Sequence, residues 1–196
     1  VDFQNLTTRG AATVRFYGIE NSSLECSGIT DFYNLVVDKG TGLSAELAVT
    51  ASQSNYFRLF GPNSYAVYGG GANPEVRKAL WLRNGTMRLL GSTTIPSLCE
   101  GRLITTNSAY IIPAFGAMIV DSPNATVLTT ADSPSEITAA WGVACSGVTN
   151  NNFPQDFYLY GRLTINDGYF SSRFSGGILF TQLSGELIVN GGKLST

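Results

Sequence analysis

Apolar and polar residues alternate along much of this chain in short runs, each closed by Gly, Asn, Asp or Ser. The clearest run is Gly161-Arg-Leu-Thr-Ile-Asn-Asp-Gly-Tyr-Phe-Ser171, which returns 24 residues later as Gly185-Glu-Leu-Ile-Val-Asn-Gly-Gly-Lys-Leu-Ser195. Leu163 matches Leu187, Ile165 matches Val189, Asn166 matches Asn190 and Phe170 matches Leu194. Each copy reads as a strand, a glycine-bearing turn and a second short strand, because strand side chains point to opposite faces with period 2. A unit repeated at a fixed period of this size is the mark of a solenoid.

A second repeat opens the chain. Asp2-Phe-Gln-Asn-Leu-Thr7 reappears 29 residues on as Asp31-Phe-Tyr-Asn-Leu-Val36. Between them lie two further alternating segments, Thr13–Tyr17 and Ser23–Ser27, giving three short strands per repeat. Val14 and Phe16 are expected to face inward, with Arg15 and Tyr17 outward. Leu35, Val37, Leu47, Val49, Phe57, Leu59 and Phe60 continue the inward set. Asn5 and Asn34 hold equivalent places, as do Asn166 and Asn190. A corner Asn tolerates the left-handed conformation and can stack its amide on the copy above. The expected fold is therefore all-β, a right-handed parallel β-helix with three short strands per coil.

Two stretches break the period. Residues 61–78 carry the turn clusters Gly61-Pro-Asn-Ser and Gly69-Gly-Gly-Ala-Asn-Pro74, and residues 131–156 carry Asp132-Ser-Pro and Gly147–Pro154. Both read as loop insertions, which repeat proteins place on one face and often use for binding. Between them, Leu80–Leu89 reads as two strands about a turn at Gly85. Pro113 demotes its position in Tyr110–Val120 to a corner or an edge. Asp121–Asn124 reads as a turn before a strand at Ala125–Thr129. The best helical candidate, Glu136–Trp141, is short. At roughly 22–28 residues per coil, about seven to nine coils fit the length.

Composition narrows the functional classes. Charged residues are 13% of the chain, about half the usual share, and glycine numbers 22, which suits a turn-rich β protein. A net charge of −2 with scattered Arg and Lys argues against a nucleic-acid surface or a polybasic membrane patch. No run of 18 apolar residues predicts a spanning helix. The opening residues already match a repeat unit, so the chain reads as a piece of a longer polypeptide, with the remainder or neighbouring subunits as partners.

The chemistry-bearing residues are sparse. Histidine is absent, which removes Ser-His-Asp and Cys-His machinery and the commonest metal ligand. A β-helix glycosidase needs two carboxylates on one face in adjacent coils. Asp2 with Asp31, or Asp31 with Asp38, are the pairs to consider, against the plainer use of Asp in Asx turns. Lys39, Arg58 and Arg162, the bases a lyase would want, stand apart from one another. No cofactor, metal or catalytic set is expected. Cys26, Cys99 and Cys145 lack zinc spacing, leaving buried thiols or a single Cys99–Cys145 bridge as alternatives. Of the outward aromatics, Tyr56, Tyr65, Tyr68, Trp141, Tyr158 and Tyr160 are the candidate ligand-binding residues, since flat rings stack on sugars. The competing use of such rings is core packing.

The segments Asp31–Gly40, Leu80–Leu89 with Ile95-Pro-Ser-Leu98, and Met118–Val127 resemble the large repetitive β-helical surface and secreted proteins of gliding and gut bacteria, adhesin-like chains exported by a dedicated secretion system. The resemblance implies an extracellular or cell-surface location and a structural or binding role, with surface glycans among the partners. It carries no catalytic residue to this chain. A carbohydrate-active β-helix and a subunit of a surface filament or layer are the alternatives.

Overall fold

The computed structural model describes residues 13–32, 34–59, 80–95, 105–106, 109–128, 156–171, 178–179 and 184–195. Outside them fall the Asp2–Thr7 repeat with Asn5, Phe60, the 61–78 insertion with Tyr65 and Tyr68, and Cys99 and Cys145. The Glu136–Trp141 segment and the 131–156 insertion up to Asp156 also lie outside.

The described residues are all-β. The first nine strands are β1 (Thr13–Gly18), β2 (Ser22–Cys26), β3 (Thr30–Phe32), β4 (Asn34–Lys39), β5 (Glu46–Ala51), β6 (Phe57–Leu59), β7 (Leu80–Gly91), β8 (Thr94–Ile95) and β9 (Thr105–Thr106). There follow β10 (Ala109–Ile112), β11 (Gly116–Val120), β12 (Thr126–Leu128), β13 (Asp156–Leu159), β14 (Arg162–Ile165), β15 (Tyr169–Ser171), β16 (Ile178–Leu179), β17 (Glu186–Val189) and β18 (Lys193–Ser195). Among the described strands every pairing is parallel except β9 with β10. Parallel partners come from well-separated stretches of chain, since a tight hairpin can join only antiparallel strands.

The largest sheet runs β1-β4-β7-β11-β14-β17, with β2 and β5 joining it through β7. Two four-stranded sheets run β16-β13-β10-β9 and β18-β15-β12-β8, and β3 pairs with β6. The 24-residue repeat is realised as direct parallel contact: Leu163 lies in register with Leu187 and Ile165 with Val189. Phe170 likewise lies in register with Leu194.

Alternation builds the core column by column. Leu47, Met87, Met118, Leu163 and Leu187 follow one another in register, and so do Leu24, Val49, Leu89, Val120, Ile165 and Val189. A third column joins Ile95, Val127, Phe170 and Leu194. The interior members of these columns form one buried cluster with Leu35, Val37, Phe57, Leu59, Leu80 and Leu82. Phe32 and Phe57 meet with ring centroids 5.7 Å apart, and Phe157 and Phe170 at 5.3 Å. Each such side chain, taken fully out of water, stabilises by about 1.5–3 kcal/mol. Val14 and Phe16 pack against the cluster while Arg15 and Tyr17 face out.

Two corners show how the chain turns. Leu80–Gly91 is one continuous strand instead of two separated by a turn. Its first half pairs with β4 and its second half with β5. Gly85 makes that possible with φ +85°, which bends the strand while its amide still donates to the Phe115 carbonyl at 2.9 Å. Pro113 follows the last residue of β10, and its carbonyl accepts from Gly116 N at 2.8 Å, closing the turn into β11. A ring nitrogen with no hydrogen is tolerated there because the ladder has already ended.

Candidate functional site

The outward faces carry two polar constructions and two aromatic ones. The first is built on β1, β4 and β7. Arg15, Val36 and Trp81 are in register, and next to them Tyr17, Asp38 and Asn84. The pairing of β4 with β7 shifts between Val37 and Asp38, so Asp38 opposes Asn84 and Arg83 is the extra residue. Both neighbours then reach one carboxylate. Asn84 Nδ2 donates to Asp38 Oδ1 at 2.5 Å, Arg15 bonds Oδ2, and Arg83 stands 3.7 Å from Oδ2. The Arg83 guanidinium also lies 5.5 Å from the centre of the Trp81 ring. Partial burial pushes the Asp38 carboxyl upward, but the hydrogen bonds from Asn84 and Arg15 and the charges of Arg15 and Arg83 outweigh it and hold it below the usual carboxylate range.

The second construction crosses the strand rows. Arg88 on β7 donates through Nε to Glu46 at 3.0 Å and through Nη1 to Asp121 at 2.7 Å. Asn166 Nδ2 donates to the other oxygen of Asp121 at 2.9 Å, and Asn190 Nδ2 donates to Asn166 Oδ1 at 2.9 Å. Burial depresses the Arg88 pKa, yet the bonds and charges of Glu46 and Asp121 more than reverse it, so the guanidinium is held charged. The result is a line of alternating donors and acceptors that ties β5, β7 and the residues following β11, β14 and β17.

Asp31 and Asp38 do not converge, and Asp2 lies outside the described residues. Asp31 sits on β3 and is ion-paired to Arg58 on β6 at 2.6 Å, while Asp38 belongs to the β1-β4-β7 row. Each has an arginine against it, a setting that suits structural pairing better than proton transfer. Asp31 is a mid-strand ion-pair partner instead of an Asx-turn residue. Of the three bases, Arg58 is engaged as described, and Arg162 binds Glu186 at 2.6 Å. Lys39 is 1% exposed, its Nζ donating to Ser22 Oγ at 2.9 Å and to the Tyr17 carbonyl at 3.3 Å. Among the described residues no group of three or more Cys, Asp or Glu is arranged to hold a metal ion.

The aromatic candidates separate. Tyr158 and Tyr160 stand on one face of β13 and just beyond it, rings 6.1 Å apart and inclined by only 9°. Tyr56 instead packs against the core at the end of a turn, its carbonyl accepting from Thr30 N at 2.7 Å. Tyr65, Tyr68 and Trp141 lie outside the described residues. Lys193 Nζ lies 5.2 Å above the Tyr169 ring. Asn34 opens β4 fully buried, and Asn166 and Asn190 directly follow β14 and β17. Cys26 is a buried free thiol whose pKa burial pushes up, with a partly offsetting hydrogen bond involving Thr30.

Two groupings were not evident from residue order. The Asp38-centred cluster depends on the register shift, and the Arg88 bridge joins residues 42 and 33 positions away. Comparison with protein-family models, with curated proteins and with solved structures finds no match.

Proposed function

We propose that this chain is a segment of a right-handed parallel β-helix that serves as a non-enzymatic extracellular scaffold or adhesin-like binding module of a larger cell-surface protein. The observation that carries this reading is the unbroken column Leu47–Met87–Met118–Leu163–Leu187, parallel at every step. The chain order supports three strands per coil: β1-β2-β3, β4-β5-β6, β7-β8, β10-β11-β12, β13-β14-β15 and β16-β17-β18 follow one another as tiers, with β7 supplying two faces of its tier. That is six tiers among the described residues. Outside, ion pairs and ring surfaces make up an exterior of the kind a display scaffold presents. The carboxylates held by Arg15, Arg58 and Arg88 favour binding or support over hydrolysis.

A sugar-binding reading on the same fold draws on one observation, the near-parallel Tyr158–Tyr160 pair. Rings so arranged suit stacking against a pyranose face.

One experiment separates the readings. The purified chain is applied to a glycan array and, in parallel, incubated with a panel of polysaccharides followed by reducing-end and unsaturated-product assays. The scaffold or adhesin reading expects no product release from any polysaccharide. Turnover of a polysaccharide overturns it. Glycan retention lost in a Tyr158→Ala, Tyr160→Ala double variant supports the sugar-binding form.

A further inference from the structure

The ring of Phe115 stands where two successive corners differ in length. Ile112 is in register with Leu159 and Ala117 with Arg162, so Pro113, Ala114, Phe115 and Gly116 span a corner that Tyr160 and Gly161 alone span on the neighbouring one. The longer corner bows outward, and Phe115 is 62% exposed. Its backbone is nevertheless held from several sides. Gly85 N donates to the Phe115 carbonyl at 2.9 Å, and Gly116 N donates to Pro113 O at 2.8 Å. Gly161 sits so close to the turn that an added Cβ would run into the carbonyls of Pro113 and Gly116.

Tyr160 occupies the shorter corner. Its amide donates to Ile112 O at 2.9 Å, and its carbonyl accepts from Ser184 Oγ at 3.0 Å. Tyr158, Tyr160 and Arg162 alternate on the outer side, with Leu159 and Gly161 buried between them. The charges flanking these rings come as ion pairs. Arg162 binds Glu186 at 2.6 Å, and Arg83, on the strand whose Gly85 holds the Phe115 turn, stands 3.7 Å from Asp38.

We propose that Phe115 is a third stacking ring of the Tyr158–Tyr160 site, and that the site takes an uncharged polysaccharide lying across the corner. The inference rests on the sugar-binding reading and deepens it. A pyranose offers a C–H face to the rings and hydroxyls at its rim. The phenol hydroxyls and the outer N–H groups of Arg162, whose Nε is given to Glu186, are fitting partners for those hydroxyls. A uronate would compete with Glu186 or Asp38 for an arginine, and an amino sugar with the arginines for a carboxylate, whereas a neutral chain leaves both pairs in place. An apolar protein surface would desolvate the same hydroxyls and guanidinium without supplying acceptors. Backbones fixed before binding keep the ordering cost low.

The test is affinity electrophoresis of the purified chain in gels containing a neutral β-glucan, a galactomannan or soluble starch, with polygalacturonate and chitosan as charged counterparts. Retardation by a neutral polysaccharide is expected. Phe115→Ala weakens it roughly two- to tenfold, the size of one aromatic contact, and Phe115→Trp restores it. In the unmodified, isotope-labelled protein, cellopentaose or mannopentaose shifts the amide signals of Phe115, Gly116 and Tyr160–Arg162. Neutral retention lost in the Tyr158→Ala, Tyr160→Ala double variant but indifferent to Phe115→Ala, with no shift at Phe115, overturns this inference and leaves the sugar-binding reading standing. Retention by polygalacturonate or chitosan alone overturns the uncharged class. Retention by none of the five overturns both readings. Concentration-dependent self-association lost in Phe115→Ala overturns the inference in favour of a second copy.

Discussion

The side-chain amide of Asn190 donates to Asn166 Oδ1 at 2.9 Å, and these two residues are 24 positions apart in sequence. Asn166 passes its own amide to Asp121, whose other oxygen is held by Arg88. Removing the middle of this line separates its ends. Asn166→Ala should destabilise by about 1–2 kcal/mol, the range for a lost hydrogen bond with a partner left unsatisfied. Asn166→Asp sets a carboxylate against Asp121 and should destabilise near neutral pH, with the loss shrinking as the pH falls toward 4 and one carboxylate takes a proton. Urea melts of both variants at two pH values check the difference.

The core columns make a graded prediction. Leu163 is fully buried between Met118 and Leu187, whereas Leu187 is half-buried at the edge. Leu163→Ala should cost about 2–5 kcal/mol, as cavity-forming substitutions do. Leu187→Ala should cost less than half as much, because water already reaches the site. Equal losses in denaturant unfolding would contradict the burial gradient.

Two glycines of similar backbone conformation should respond differently to alanine. Gly18 has φ +92° with nothing within 4 Å of an added Cβ, and its cost is that of the left-handed conformation alone, about 1–2 kcal/mol. Gly85 has φ +85° and an added Cβ would sit 2.5 Å from Lys39 Cβ and 2.7 Å from its carbonyl oxygen. Backbone atoms cannot yield as a side-chain tip can, so Gly85→Ala adds roughly 1–3 kcal/mol of overpacking. Thermal denaturation should rank Gly85→Ala well below Gly18→Ala in Tm.

Asp38 gives the molecule an acid-sensitive contact. Its carboxyl titrates below the ordinary value when folded, so the unfolded chain binds the proton more readily. The contribution is therefore complete above the unfolded value of about 4 and is lost as the pH falls through the lower folded value. Asp38→Asn should flatten the stability-versus-pH curve below about pH 4 and lower stability at pH 7. Arg15 is 43% exposed, so salt should reduce the effect. A pH series of denaturant midpoints at low and high salt tests both statements.

The alternation of Leu163 with Thr164 and Ile165, and its return at Leu187, Ile188 and Val189, was enough to state that these strands are β and which side chains turn inward. That pattern survives translation into structure because the strand period is locally fixed by backbone geometry. Pro113 was legible as a corner for the same local reason, whereas Gly85, read as a turn between two strands, bends one continuous strand. Tertiary structure alone decided which residues meet across the rows. The shift between Val37 and Asp38 brings Arg15, Arg83 and Asn84 onto one carboxylate, and Arg88 reaches Glu46 and Asp121 together. Sequence order does not encode the register of strands separated by insertions, and a slip of one residue would send every one of these side chains to the other face. Residue order therefore settled the inward and outward sides of alternating strands such as β1 and β5, and the pairing of distant strands settled which charges, amides and rings became neighbours.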